Sequence, residues 1–164
     1  CFASCEQQAN PMLRGKPIAV AAYITSSGCI VSPSIEAKRY GIKVGMRVRD
    51  SKQLYPNLII LPPDPEKYRF INKKLHQLLS SYTADIKIKS IDEMVLNLKH
   101  APCLQKQSIT NIASEIKKRV RQEVGNWLKV SIGISTNWFL AKTASNLHKP
   151  DGLDVIDKII LLIF

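Results

Sequence analysis

Ile86-Lys87-Ile88-Lys89-Ser90-Ile91-Asp92-Glu93-Met94-Val95-Leu96-Asn97-Leu98 is the stretch from which the fold of this chain is read. Its first part alternates apolar and polar residues, and its last part is rich in residues that favour strands. Neighbouring side chains on one extended strand point to opposite faces. Two adjacent carboxylates therefore reach a common site only if the backbone turns or bulges near Ser90 to Glu93. The expected form is a β-hairpin with Asp92 and Glu93 at its tip. Two like charges side by side oppose joint ionisation, which a cation relieves. Mg²⁺ takes one or two carboxylates plus substrate phosphates. Taken alone, such a pair is most often a solvated turn, and the rest of the chain has to decide.

The chain has 164 residues, of which 45% are hydrophobic, enough for one compact domain or two small lobes. Its net charge of +11 points to a polyanion as partner, whether nucleic acid, a nucleoside triphosphate or an anionic membrane. The basic residues are spread over Lys38-Arg39, Lys43 to Arg49, Lys67 to Lys74 and Lys117 to Arg121. That distribution favours a folded basic surface over a basic tail. Cys1, Cys5, Cys29 and Cys103 form no Cys-x-x-Cys pair and read as reduced thiols of an intracellular protein. The longest apolar run, Ile159 to Phe164, is too short to span a membrane, and no signal peptide is visible. A start without Met and an apolar last run suggest a piece of something longer.

Local signals divide the chain. A first helix is expected near Phe2, ended by Asn10-Pro11. Ile18 to Ile24 reads as a buried strand and Cys29 to Ser32 as its partner. Ser34 caps a short helix stopped by Gly41. A further short helix ends at Leu54-Tyr55, and Leu58 to Leu61 is a third strand. Asp64-Pro65-Glu66 starts a long helix with Tyr68, Ile71, Leu75, Leu78 and Tyr82 on its apolar face. Ser108 caps a second long helix ended by Gly125, with Lys117, Lys118, Arg119 and Arg121 on its solvated side. Leu128 to Ser135 is a strand, Thr136 or Asn137 opens a helix through Leu147, and Leu153 to Ile156 is a last short strand. Adding one strand before Cys1 gives an α+β fold: a ferredoxin-like βαββαβ layer with an insertion after its first strand.

These residues resemble the Y-family translesion DNA polymerases, the polymerase IV and polymerase V type. Phe2-Ala3-Ser4-Cys5-Glu6 is similar to the family's aromatic-Ala-Ser-x-Glu stretch. Asn10-Pro11 to Gly15-Lys16-Pro17-Ile18-Ala19-Val20 is similar to its Asn-Pro…Gly-Lys-Pro segment. Glu36-Ala37-Lys38 to Gly45-Met46, Ser90-Ile91-Asp92-Glu93, Ser131 to Ser135, Leu140-Ala141-Lys142 and Lys149-Pro150-Asp151-Gly152 follow in the family's order. The resemblance implies a ferredoxin-like palm with an inserted α/β fingers subdomain and a truncated first palm strand. Residues 1–64 would be fingers with a remnant of palm, 65–156 palm, and 157–164 the truncated start of a thumb, read as its first helix.

The implied activity is template-directed nucleotidyl transfer to a primer 3′-hydroxyl, specialised for bypass in DNA repair and the SOS response. Asp92 and Glu93 would hold two Mg²⁺ ions together with an aspartate expected before Cys1. Phe2 would be the steric gate beneath the sugar, with an ordinary core Phe as the alternative. Cys1, Val31 and Ser32 would lie at the incoming nucleotide. Lys38 and Lys149 would contact its triphosphate, although Ile35 stands where many members carry a Tyr. Lys142 would touch DNA or be a solvated helix lysine, and Trp138 replaces a common Lys. Implied partners are primer–template DNA, deoxynucleoside triphosphates and a sliding clamp, in the bacterial cytoplasm at the nucleoid, with no membrane. Two other classes remain open: a non-catalytic nucleic-acid-binding fragment, and another palm-type transferase such as a cyclic-nucleotide synthase.

Overall fold

The computed structural model describes residues 2–156 in full and residues 160–163 as backbone. It divides into two compact units, Cys1–Tyr68 and Arg69–Phe164. Cys1, assigned to the nucleotide site, lies outside the described residues, as do positions 157–159 and 164 of the expected thumb segment.

The first unit begins with α1 (Phe2–Ala9) and a 3₁₀ turn, Pro11–Leu13, whose cap Asn10 accepts from the Met12 N–H at 3.0 Å. Strands β1 (Ile18–Ala21), β2 (Ile30–Pro33) and β3 (Ile59–Leu61) form a sheet in the order β2-β1-β3. Central β1 runs antiparallel to β2 and parallel to β3 and is buried throughout, as its unbroken apolar run requires. Helices α2 (Ile35–Arg39) and α3 (Val48–Leu54) complete the unit. Ala19, Ala21, Ile30, Ala37, Ile42, Val48 and Leu58 make its core. Ser34 Oγ accepts from the Ala37 N–H at 3.1 Å, capping α2, and from the Ile18 N–H at 3.2 Å, tying that cap to β1. Gly41, at φ 82°, stops α2 in a left-handed conformation that costs glycine little.

Helix α4 (Pro65–Leu79) begins in the first unit, and the two units divide after Tyr68, in its first turn. Lys67 and Tyr68 both bond Glu6 of α1. Asp64 caps the helix, accepting from the Lys67 N–H at 3.0 Å.

The second unit holds the hairpin β4 (Ile86–Ser90) and β5 (Glu93–Asn97), then α5 (Ile109–Arg119), β6 (Ile132–Ser135), α6 (Trp138–Leu147), β7 (Leu153–Ile156) and β8 (Ile160–Ile163). The sheet order is β4-β5-β8-β6-β7, with β7 parallel to β6 and every other pair antiparallel. Three differences from the sequence expectations have physical causes. Residues 160–163, read as the start of a thumb helix, are a strand that fills the central position between β5 and β6. That position, antiparallel to both neighbours, is the one a βαββαβ layer gives its first strand. An apolar run suits either conformation, and two flanking ladders decide it for the strand. Second, α5 does not run unbroken to Val124: Val120–Val124 is a π-helical turn, closed by the Gly125 N–H on the Val120 carbonyl at 2.9 Å. Third, the α5 cations are not simply a solvated face. Lys117 donates to the Asp151 and Gly152 carbonyls and pairs with the Asp151 carboxylate at 3.2 Å. Arg119 grips Glu123 at 2.6 Å, donates to Ser81 Oγ at 2.9 Å and lies over the Tyr82 ring.

Several carboxylates are held below their ordinary pKa. Hydrogen bonds from Gln107 and then Tyr82 lower Glu115, the Arg119 guanidinium lowers Glu123, and the Lys67 backbone N–H lowers Asp64. Burial, and then the hydrogen bond to Glu115, pushes the Tyr82 phenol up to about 12. A depressed folded pKa means that the unfolded chain binds more protons as the solution turns acidic. The stabilisation is complete above the ordinary carboxylate pKa and is lost as pH falls through the lower folded values. Denaturant midpoints are therefore expected to drop as pH falls below about 4.5, with Glu115→Gln flattening the slope. A flat wild-type profile down to pH 3 would remove this account.

Candidate active site

The carboxylate hairpin has the bulge that its sequence demands. Ile88 pairs with Met94 and Ser90 with Glu93, so Lys89 is an extra residue on β4 and Ile91-Asp92 forms the turn. Bulges of this kind re-aim side chains at strand ends. The Asn72 side chain on α4 donates to the Ile91 carbonyl at 2.8 Å and ties the tip down. Ser90 Oγ donates to Asp92 Oδ1 at 3.1 Å.

The two acids differ sharply in environment. Asp92 is exposed, whereas Glu93 is only 9% exposed. A buried carboxylate needs a counter-charge or strong donors. Glu93 has one: Lys142 Nζ donates to its Oε2 at 2.8 Å. Lys142 is carried by α6, whose cap Asn137 accepts from the Leu140 N–H at 2.9 Å. Helix α6 lies hard against β6 at Gly133, where an added Cβ would come within 1.9 Å of the Ala141 carbonyl oxygen. A small residue in β6 thus sets how closely the lysine approaches the acid.

Asp92 and Glu93 fit a divalent ion that draws its other ligands from a substrate's phosphates. Adjacent carboxylates, one open and one buried against an exchangeable ammonium, are donors of the hard oxygen type that Mg²⁺ prefers. Among the described residues, no group of three or more His, Cys, Asp or Glu side chains gathers into a metal-binding cluster. Lys149, also in the second unit, is exposed at the turn after α6, next to a cis bond to Pro150.

In the first unit, Phe2 is half-buried and stacks face to face on Tyr68, with ring centroids 4.3 Å apart and planes within 5°. Tyr68 is itself fixed, its hydroxyl donating to Glu6 Oε1 at 2.8 Å while Lys67 Nζ donates to Oε2 at 2.6 Å. Burial, and then the bond to Glu6, drives the Tyr68 phenol well above its ordinary pKa, so it remains a donor. Burial alone would lower Lys67, but its bonds to Glu6 and Asp64 outweigh that and raise it. Ser32 is buried and its Oγ accepts from the Ala3 N–H at 3.4 Å, next to Phe2. Val31 and Lys38 are exposed. The unit therefore brings Phe2 and Ser32 together and leaves Val31 and Lys38 open to solvent.

Three contacts were not legible in the sequence, the last of them made by a lysine already expected to touch DNA or solvent. Asn72 pins the hairpin tip, Glu6 anchors Tyr68 beneath Phe2, and Lys142 compensates Glu93. Asn72 and Lys142 both act between a helix and the hairpin, so neither contact is set by neighbours in sequence. Among the described residues, no helix is long and apolar enough to cross a membrane, and Cys5, Cys29 and Cys103 form no disulfide.

Residues 1–146 match the family model described as the impB/mucB/samB family. DNA polymerase IV of Bacteroides fragilis (strain YCH46) is 40% identical over 158 residues, covering 94% of this chain and 42% of that protein. DNA polymerase IV of Pseudomonas paraeruginosa is 38% identical over 157 residues, covering 95% and 44%. Among solved structures, the Y-family DNA polymerase chimera Dbh-Dpo4(243-245)-Dbh superposes with a TM-score of 0.86 at 28% identity, over 95% of this chain and 46% of that one. The insertion ternary complex of Dbh DNA polymerase gives 0.85 at 29% identity, over 94% and 45%. The chain spans less than half the length of these relatives.

Proposed function

Since this chain belongs to the impB/mucB/samB family of Y-family DNA polymerases, we propose that it supplies the palm and fingers of a template-directed DNA polymerase that copies damaged templates. Residues 1–64 are assigned to the fingers and 65–156 to the palm, acting on the nucleoid in the bacterial cytoplasm. The observation that carries this reading is the bulged hairpin tip, with exposed Asp92 beside a buried Glu93 compensated by Lys142.

Asp92 and Glu93 would hold Mg²⁺, which when bound neutralises the leaving pyrophosphate and activates the primer 3′-oxygen. Glu93 is held by burial, by backbone pairing and by the Lys142 ammonium on its Oε2. Asp92, on the exposed turn, faces solvent from which a triphosphate enters. Lys38 and Lys149 offer point charges to that triphosphate without the bidentate fork of an arginine. The Phe2 ring is braced by Tyr68 and cannot yield easily, which suits exclusion of a ribose 2′-hydroxyl by clash.

Lys142 and a metal ion compete for Glu93. Lys142 is 43% exposed, so solvent screening reduces its hold on the acid. Lys142→Ala is expected to tighten Mn²⁺ binding by roughly five- to tenfold, equivalent to about 1 kcal/mol. Mn²⁺ electron paramagnetic resonance reads this directly. Unchanged or weaker binding would mean that the ion pair lies outside the metal site.

The whole reading is tested by Mg²⁺-dependent extension of a primed template by the intact polypeptide, with Asp92→Ala as control. Extension undiminished by that change removes the proposed site. DNA binding without any extension would put the non-catalytic reading in its place.

A further inference from the structure

The bulge in β4 has a second effect. With Ile88 and Ser90 paired to β5, Lys89 is released from the ladder, and its Nζ lies 5.0 Å from the centre of the Trp138 ring. Trp138 opens α6 and is 50% exposed. Phe139 beside it is 64% exposed and meets it edge to face, centroids 6.3 Å apart. Ile88, next to Lys89, is also exposed. Two adjacent aromatic side chains open to water, with a lysine ammonium over one ring, mark a contact surface of the second unit.

Its rim identifies the partner. Lys87 and Lys89 are exposed on β4, and Lys142 lies on α6 one turn beyond Trp138. Aromatic faces interleaved with ammonium groups are the chemistry of single-stranded nucleic-acid binding: bases stack on the rings and phosphates meet the cations. Ammonium groups over and around the indole favour a polyanionic strand over an apolar peptide.

We propose that Trp138, flanked by Lys89, is a stacking platform for an unpaired base of a DNA strand lying beside the Asp92–Glu93 hairpin. The proposal rests on the DNA-polymerase reading and adds a strand contact outside the carboxylates. Stacking on an aromatic face is tolerant of base identity, so the platform holds strand position without reading sequence. Lys89, an extra residue in the bulge, can follow a phosphate without breaking a ladder bond.

Trp127 and Trp138 are the two tryptophans of the chain, so Trp127→Phe leaves Trp138 as sole reporter. Titration of that variant with a single-stranded thymidine oligonucleotide is expected to quench its emission. In the otherwise unaltered chain, Trp138→Ala is expected to weaken binding of the same oligonucleotide roughly five- to tenfold. Trp138→Phe should keep most of the affinity, and Lys89→Ala should lower the salt slope by about one. Trp138→Ala with wild-type affinity, alongside weakened Lys142→Ala, overturns the platform and leaves the DNA reading standing. No oligonucleotide binding by the unaltered chain overturns both. Quenching by deoxythymidine triphosphate alone, with none by the oligonucleotide, assigns the ring to the nucleotide and also overturns the proposal.

Discussion

Asp92→Ala is expected to lower single-turnover primer extension by about 10³-fold or more while leaving the melting temperature unchanged. Metal-assisted charge stabilisation contributes several kcal/mol at the transition state, and each 1.36 kcal/mol is a factor of about ten in rate. The structural cost is small because Asp92 sits on the exposed turn, and exposed substitutions usually stay within about 0.5 kcal/mol. Glu93→Ala should behave differently. Glu93 is buried on β5 and neutralises Lys142, so its removal costs stability as well as activity. The contrast separates a ligand from a ligand that is also part of the core. Activity of Asp92→Ala within tenfold of wild type would remove Asp92 from the chemistry.

Gly133→Ala is expected to carry the largest stability loss of any single methyl addition in the second unit. A Cβ there would lie 1.9 Å from the Ala141 carbonyl oxygen and 2.4 Å from the Ser145 nitrogen. Both are backbone atoms of α6 and cannot rotate away, so the helix must lift off the sheet. Overpacking of this kind costs about 3 kcal/mol or more. Because α6 carries Lys142, the shift should also loosen the Glu93 ion pair. Gly15→Ala is the control: it has φ 72° but nothing within 4 Å of the added methyl. It should cost only about 1 kcal/mol of backbone strain. Urea denaturation of both variants measures the difference, and equal midpoints would contradict the close approach.

Features set by neighbours in sequence were legible without coordinates. Ser34, Asp64, Ser108 and Asn137 each accept from a backbone N–H three residues on, as helix caps do. Gly41 stops α2, and the Asp-Glu pair required the bulge that β4 contains. Features set by distant partners were not legible. Nothing local distinguishes Lys117, which binds the Asp151 turn, from Lys118 beside it, which is exposed. Leu128 and Val130 are buried outside any strand, so their alternation overstated β6. The apolar run at 160–163 did not specify which two strands it would pair with.

The central seat of β8 also bears on how the second unit forms. The β4–β5 hairpin and the β6–α6–β7 segment close through neighbours in sequence. Met94 and Ile132, in contrast, both pair with Ile163, the last described strand in chain order. Within residues 69–164, the facing edges of β5 and β6 stay open until the strand at 160–163 pairs with both. Ladders between segments so far apart form slowly, because loop closure precedes any gain from pairing. During that interval the exposed edges can recruit other extended chains. In this unit the carboxylate hairpin is thus an early local structure and its incorporation into a continuous sheet a late event.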